Sequence, residues 1–459
     1  MKLTFIGACR TVTGSQYLIE HEGFKILLEC GLYQGHRDEA ERINRTFAFK
    51  PKDLSAMVLS HAHLDHSGNI PNLAKSGFSG PVYCTPATLD VTRYLLLDAA
   101  HIQEADIEHL NKRLRLSNLP VKQPLYTVAD TEKALKQFTG RSYNLPFEPV
   151  KGLTITFFDA GHILGSALVR IESEGKRVLF SGDLGRNKMP IIKDPVVVPD
   201  VDYLMLESTY GNRVHPSPAG VSEDLKKIIQ DAIANRGKVI IPAFAVERTQ
   251  ILIKILKELY DAGSLRDVPV YVDSPLATNV TEVFTRHPEC FDEETLKIFE
   301  AGDPFNFPGL QYIRDKEESK TLNDWSGPLI IIAGSGMCEG GRVLHHLIHS
   351  LGRETTQVVL AGFQSPGTLG WRLQSGEKRV PIYNDFYEVK ARIHFIGALS
   401  AHADGNDLYN YVQAVREHRL QKVFLVHGDI EEAVPLKDRL SRSGIAVDIP
   451  ESMTQAEIQ

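Results

Sequence analysis

The 459 residues include only 5 cysteines (Cys9, Cys30, Cys84, Cys290, Cys338), and no two of them share a paired spacing. That excludes a disulfide framework or a cysteine-based zinc knuckle and fits reduced thiols in a cytosolic protein. Positive charge is also short. The 51 Lys and Arg stand against 58 Asp and Glu, a formal charge of −7, so binding to a polyanion has to come from a local basic patch and not from the overall field. No apolar run approaches the length needed to span a bilayer, and the start, Met1-Lys2-Leu3-Thr4-Phe5-Ile6-Gly7, reads as a strand entering a turn and not as a signal peptide. A cytoplasmic location without membrane association is the expectation. Neither an internal repeat nor a low-complexity segment interrupts the chain. What is present is ordinary globular composition, 42% hydrophobic and 24% charged, at a length that allows two or more packed cores.

Two rhythms run along the chain. Up to about residue 207, short β-rich runs (15–20, 24–29, 56–60, 80–84, 154–159, 177–181) alternate with turns and predict a mixed sheet edged by loops. From about 237 to 363, apolar strands at 238–241, 268–272, 329–333 and 357–361 alternate with helical stretches such as 246–260, the pattern of parallel βαβ units. After 391 the first rhythm returns, with a buried strand at 423–426. One domain is therefore expected inside another.

The chemistry concentrates where strand 56–60 runs into His61-Ala62-His63-Leu64-Asp65-His66. Three imidazoles and a carboxylate within six residues form a donor set that borderline metals such as zinc take, and extended i, i+2 spacing aims His61 and His63 at one point while Asp65 and His66 face another. The competing reading is a polar surface turn, against which the specificity of His-x-His-x-Asp-His weighs. Two later segments add donors: His162 in Asp159-Ala160-Gly161-His162, and Asp183 in Phe180-Ser181-Gly182-Asp183. Each follows a strand ending in small residues, which lets backbone approach a metal closely. Alone, each reads as a loop residue or turn former; beside the first motif they extend a ligand set.

Other candidates are weaker. The glycine-rich run 333–341 follows a buried strand and precedes a helical pattern, so its backbone N–H groups and Ser335 could meet a phosphate, with a plain tight loop as the alternative. Arg248, at the start of a helix, is a candidate contact to a bound strand, or else a solvated or ion-paired residue. His345 and His346 read as structural.

These motifs, with Val426-His427-Gly428, together resemble the metallo-β-lactamase superfamily. Three further segments narrow the resemblance to its β-CASP branch of nucleic-acid-processing nucleases: Leu206-Glu207-Ser208-Thr209-Tyr210-Gly211, Ser400-Ala401-His402-Ala403-Asp404 and Leu425-Val426-His427-Gly428-Asp429. The resemblance covers essentially the whole chain. It implies an α/β fold, a metallo-β-lactamase αββα sandwich (residues 1–208 and 389–459) with an inserted β-CASP α/β domain (209–388). It also implies two zinc ions per chain, one held by His61, His63 and His162, the other by Asp65, His66 and His427, with Asp183 bridging them. A hydroxide shared by the metals would be the nucleophile. His402, oriented by Glu207, would protonate the leaving group; Asp65 counts with these two in the catalytic step, and Ser400 as a phosphate contact. The implied activity is hydrolysis of single-stranded RNA, endonucleolytic or 5′ to 3′ exonucleolytic, giving 5′-phosphate and 3′-hydroxyl ends, by a chain that forms a homodimer.

One position departs from the family pattern. Glu29-Cys30-Gly31 stands where Asp-Cys-Gly is usual, and the longer acid is expected to shift its support of the ligands without abolishing activity. Other functions are weighed against the same features. Small-ester hydrolysis on this fold is disfavoured by the inserted domain and the Glu207/His402 pair. A DNA nuclease of the same branch is disfavoured by His427, a position where DNA-processing members tend to differ. An inactive scaffold would have lost ligands that this chain keeps.

Overall fold

A computed structural model of the chain describes residues 1–265, 268–416 and 419–459. It forms two compact units, one of Met1–Lys188, Lys193–Val214 and His402–Gln459, the other of Met189–Ile192 and His215–Ala401.

The first unit contains two seven-stranded sheets. One runs in the order Gln455–Glu457, Lys2–Gly7, Gln16–His21, Phe24–Leu28, Ala56–Val58, Val82–Cys84, Phe138–Gly140. The other runs Val447–Asp448, Lys422–Val426, Tyr203–Glu207, Lys176–Phe180, Ala167–Ser173, Leu153–Asp159, Phe147–Val150. Alternation along each strand decides which layer a side chain joins. Tyr17, Ile19, Ile26 and Leu28 meet Phe157, Val169, Phe180 and Met205 between the sheets. Leu18, Leu27 and Met57 point the other way, against Ile70 and Leu73 of the helix Ile70–Lys75. Leu204, Leu206, Val423 and Leu425 likewise turn outward to Leu408 and Val412 of Gly405–Val415 and to Leu436 and Leu440 of Ile430–Arg442. Strands apolar on both faces are stable only when both faces are covered. Four layers, αββα, result.

The expected alternation of short strands and turns misses one large element, a 31-residue helix at Pro86–Leu116. Thr85 caps it through a hydrogen bond from Thr88 N, and Pro86 occupies its first turn. Val91, Leu95, Leu96, Ala99 and Ala100 bury its first half, whereas Leu116 at its end is 87% exposed.

The second unit is built on a six-stranded sheet in the order Leu310–Tyr312, Val270–Asp273, Leu329–Ala333, Lys238–Pro242, Gln357–Leu360, Arg392–Phe395, every pair parallel. Its central strands are buried throughout, as the continuous apolar runs predict. The units change over at Val214/His215 and Ala401/His402, where sequence reading put the changes at 208/209 and 388/389. The later change has a clear cause: Arg392–Phe395 pairs with Gln357–Leu360 and so extends the inserted sheet. Among the described residues no helix is long and apolar enough to cross a membrane.

Candidate metal centre

Strands of the first unit deliver the candidate ligands from their carboxyl ends. Lys176–Phe180, Tyr203–Glu207 and Lys422–Val426 are parallel neighbours, so Asp183, Glu207 and His427 emerge at one edge. His61, His63, Asp65 and His66 follow Ala56–Val58 in the facing sheet, and His162 lies in the turn between Leu153–Asp159 and Ala167–Ser173. Backbone bonds lace the ligand turn to its neighbours: Ser15 N donates to Asp65 O (2.8 Å), Cys30 N to His66 O (2.8 Å) and Gly31 N to Ser15 O (3.0 Å). Gly31 permits this closeness, since a Cβ there would sit 1.6 Å from Asp65 O. Gly31→Ala is accordingly expected to cost several kcal/mol, at the upper end of single-substitution effects, or to displace the Asp65–His66 turn. Thermal unfolding and metal content measured together check this.

Asp183 organises the cluster. Its Oδ2 lies 3.3 Å from His61 Nε2, 3.9 Å from His63 Nδ1 and 3.4 Å from His162 Nε2. Its Oδ1 lies 3.2 Å from His66 Nε2 and 3.4 Å from His427 Nε2, and Asp65 Oδ2 stands 3.7 Å from that same His427 nitrogen. One buried carboxylate thus offers each oxygen to a separate set of donors.

Whether those donors fit a metal can be tested on distances. Two ligand atoms each about 2.05 Å from a tetrahedral ion such as zinc stand roughly 3.3 Å apart. His63 Nδ1 is 3.1 Å from His61 Nε2 and 3.3 Å from His162 Nε2, and most of the distances to Asp183 Oδ2 fall in the same range. The one proton or lone pair on His63 Nδ1 cannot serve both neighbouring nitrogens well, whereas a cation at their centre satisfies all three. On the other side, His66 Nε2 and Asp183 Oδ1 are buried and face each other without hydrogen-bonding geometry. Both donor sets fit a metal ion.

Electrostatics prepares the set at Asp183 Oδ2. Burial, followed by the neighbouring His66, pulls His61 down to about 3, and burial with His402 holds His162 well below the usual histidine range. Both therefore stay neutral, the form that ligates. Burial alone would raise the Asp183 carboxyl, but the surrounding imidazoles outweigh it and keep the carboxylate charged.

Behind the ligands, Glu29 does more than its one-carbon difference from the family acid suggested. Its Oε2 accepts from His66 Nδ1 (2.6 Å) and Ser60 Oγ (2.8 Å), and its Oε1 accepts from Ser60 N (2.7 Å). Ser60 Oγ also lies 2.9 Å from His61 Nδ1, and Ser15 Oγ 3.0 Å from His427 Nδ1. Each of these partners leaves the opposite ring nitrogen, Nε2, facing Asp183. Sequence reading missed Ser15 and Ser60; a small hydroxyl residue next to the ligand His61 was the only local signal for Ser60, and Ser15 carried none. Glu29 and His427 have positive φ (63° and 46°), a strained backbone of the kind found at functional sites. Glu29→Ala is expected to weaken metal binding on the order of 10- to 100-fold, with Glu29→Asp between it and the native chain. Competition with a chelator measures this, and an unchanged affinity in Glu29→Ala would leave the carboxylate without a supporting role.

His402 approaches from the side. Its Nδ1 lies 3.1 Å from Glu207 Oε2 and its Nε2 3.9 Å from Asp183 Oδ2. Its backbone bridges Gly185, Ala403 N donates to Leu184 O (2.8 Å), and Leu184 N donates to Glu207 Oε1 (2.6 Å), so the pair is fixed at both ends. Burial lowers His402, but Glu207 and Asp183 outweigh it and raise the imidazole to about 9.

The structure brings His61, His63, Asp65, His66, His162, Asp183, Glu207, His402 and His427 together in the first unit. It places Arg248, Ser335 and Ser400 in the second. There Arg248 donates from Nη2 to Leu399 O, and Ser335 Oγ accepts from Glu339 N (3.0 Å) and Gly340 N (3.3 Å), which engages much of the loop's capacity internally. His346 bonds Asp273 at 2.7 Å within a buried network, a structural role.

Comparison with known proteins agrees with this geometry. Residues 10–136 match the Metallo-beta-lactamase superfamily, 249–373 the Beta-Casp domain, and 387–450 the Zn-dependent metallo-hydrolase RNA specificity domain. The chain is 35% identical to Ribonuclease TTHA0252 of Thermus thermophilus over 98% of both chains. It is 29% identical to the RNase J-like protein of Methanocaldococcus jannaschii over 93% of this chain and 92% of that one. Against Transcription termination factor FttA of the same organism it is 29% identical over 96% of this chain and 69% of the relative. A crystal structure of a protein of unknown function from Enterococcus faecalis V583 shares the fold at 15% identity, with a TM-score of 0.55 and 99% of each chain covered. The chain belongs to the β-CASP branch of the metallo-β-lactamase superfamily and is a metal-dependent hydrolase.

Proposed function

We propose that the chain is a zinc-dependent ribonuclease that holds two zinc ions and cleaves single-stranded RNA to 5′-phosphate and 3′-hydroxyl ends. The observation that carries this reading is the division of Asp183 between two donor sets: His61, His63 and His162 at Oδ2, and His66 and His427, with Asp65 beside them, at Oδ1. Zinc ions bound there would supply a water acidic enough to attack near neutral pH and positive charge on the phosphate. His402 has the remaining task. With Nδ1 hydrogen-bonded to Glu207, its Nε2 is the nitrogen free to give a proton to the departing ribose oxygen. Asp65, 3.7 Å from His427 Nε2, would complete the second set as a ligand. Ser400, Ser335 and Arg248 remain candidate contacts to the RNA. That the substrate is RNA is supported by the specificity-domain match at 387–450 and by the ribonuclease names of two relatives spanning nearly the whole chain.

Single-stranded RNA and DNA of one sequence, each labelled at the 5′ end, test the proposal in one assay. RNA is expected to be cut and DNA left largely intact; cutting of DNA alone would overturn the sugar assignment, and product lengths distinguish endonuclease from exonuclease. Elemental analysis of the purified chain is expected to find about two zinc ions, one for each tetrahedral donor set. A value near zero, with no activity restored by zinc, would remove the dinuclear centre. A homodimer in the cytoplasm goes with this reading, and light scattering checks the dimer.

A further inference from the structure

In the second unit, three strands lying side by side, Lys238–Pro242, Gln357–Leu360 and Arg392–Phe395, all run parallel and end at one edge of the sheet. Each end carries a phenylalanine whose ring is not taken into the core: Phe244, two residues beyond its strand, is 44% exposed; Phe363, three beyond, is 40%; Phe395, the last residue of its strand, is 48%. Three rings left 40–48% exposed on adjacent strand ends are more than the scattered apolar exposure of an ordinary surface. The same edge carries a cation. An added Cβ at Gly362 would stand 2.7 Å from Arg248 Nη1, and Arg248 Nη2 donates to Leu399 O, so the guanidinium joins the loops that bear Phe363 and Phe395.

We propose that Phe244, Phe363 and Phe395 form a stacking edge for the unpaired bases of the RNA strand, with Arg248 tying together the loops that bear Phe363 and Phe395. Neighbouring strands are about 4.8 Å apart, so three strand ends span roughly 10 Å. At about 3.4 Å per stacked base, that is room for two or three bases. Ring faces accept any base, so the edge favours single strands over duplexes without reading sequence. The carboxyl edge of a parallel α/β sheet is also where ligands generally bind. This inference rests on the ribonuclease reading.

The test is a substrate cycle on a short single-stranded RNA with the intact protein. Phe244→Ala, Phe363→Ala and Phe395→Ala are each expected to raise KM on the order of 5- to 100-fold with a smaller change in kcat, and the corresponding Tyr variants to recover most of the loss. An RNA carrying abasic riboses at successive positions should cost the native protein a similar factor, and Phe→Ala should add nothing once the matching base is gone. KM within twofold of native in all three variants, or an equal loss on the abasic strand, would overturn the stacking edge. If the native protein cleaves no RNA, it is the ribonuclease reading that fails. Fluorescence anisotropy with a phosphorothioate oligomer still decides the edge: weakened binding in the Ala variants upholds it, and unchanged binding overturns it.

Discussion

Asp183→Ala is expected to leave the purified chain with little zinc and no measurable phosphodiesterase activity. The reason lies in how many partners one carboxylate serves. Six imidazole nitrogens approach its two oxygens within 3.2–3.9 Å, five of them in the proposed ligand sets, so its loss removes a donor from both sets at once. Loss of a residue that merely orients a ligand costs about 10- to 100-fold in metal affinity; loss of a ligand common to two ions should exceed that at each site. A second consequence is thermodynamic. Metal bound only by the folded chain stabilises it by about 2.7 kcal/mol per site at a free concentration 100 times Kd. Zinc should therefore raise the melting temperature of the native protein and leave that of Asp183→Ala nearly unmoved. Asp183→Asn, which keeps the shape and one oxygen, should fall between. Two zinc ions retained in Asp183→Ala, with hydrolysis at the native rate, would eliminate the bridging role.

The ligands were legible in the sequence because strand ends are local signals. His61, His63, Asp65 and His66 follow one strand within six residues, His162 and Asp183 each follow a strand that ends in small residues, and His427 directly follows the buried strand Lys422–Val426. Their convergence was not legible from spacing; it came from the family resemblance, and in the structure it depends on parallel pairing of strands as distant as Tyr203–Glu207 and Lys422–Val426. The supporting hydroxyls stayed hidden for the same physical reason. Ser15 reaches His427 across 412 positions of sequence, and nothing near Ser15 announces a partner. The long helix Pro86–Leu116 was missed because its apolar periodicity fades where it leaves the core: beyond Ala100 only Asn111 is buried. Arg248 carried a plausible charge in a plausible place, but its acceptor, the carbonyl of Leu399, lies 151 residues away and leaves no trace in composition.

His402→Ala should separate proton donation from metal binding. Its Nδ1 is occupied by Glu207, and its Nε2, though as near Asp183 as His63 Nδ1 is (3.9 Å), belongs to neither proposed ligand set. Zinc content is therefore expected to stay near two per chain while the rate of RNA cleavage falls on the order of 10² to 10⁴, the usual scale for a lost general acid. The size of the loss should depend on the leaving group. A ribose hydroxyl departs poorly without a proton, so RNA should show the full defect, whereas an activated aryl phosphodiester needs little protonation and should show much less. Glu207→Gln keeps a hydrogen-bonding partner for the imidazole but removes the negative charge that favours its protonated form, so a milder version of the same pattern is expected. Because Glu207 Oε1 also accepts from Leu184 N at 2.6 Å, the Gln side chain must keep its oxygen there, which directs its NH₂ toward His402 and forces that ring to accept instead of donate. The variant should then retain the fold and lose part of the acid step. If His402→Ala lost zinc together with activity, or cleaved RNA at the native rate, His402 would be a ligand or a bystander, and proton donation would have to come from elsewhere.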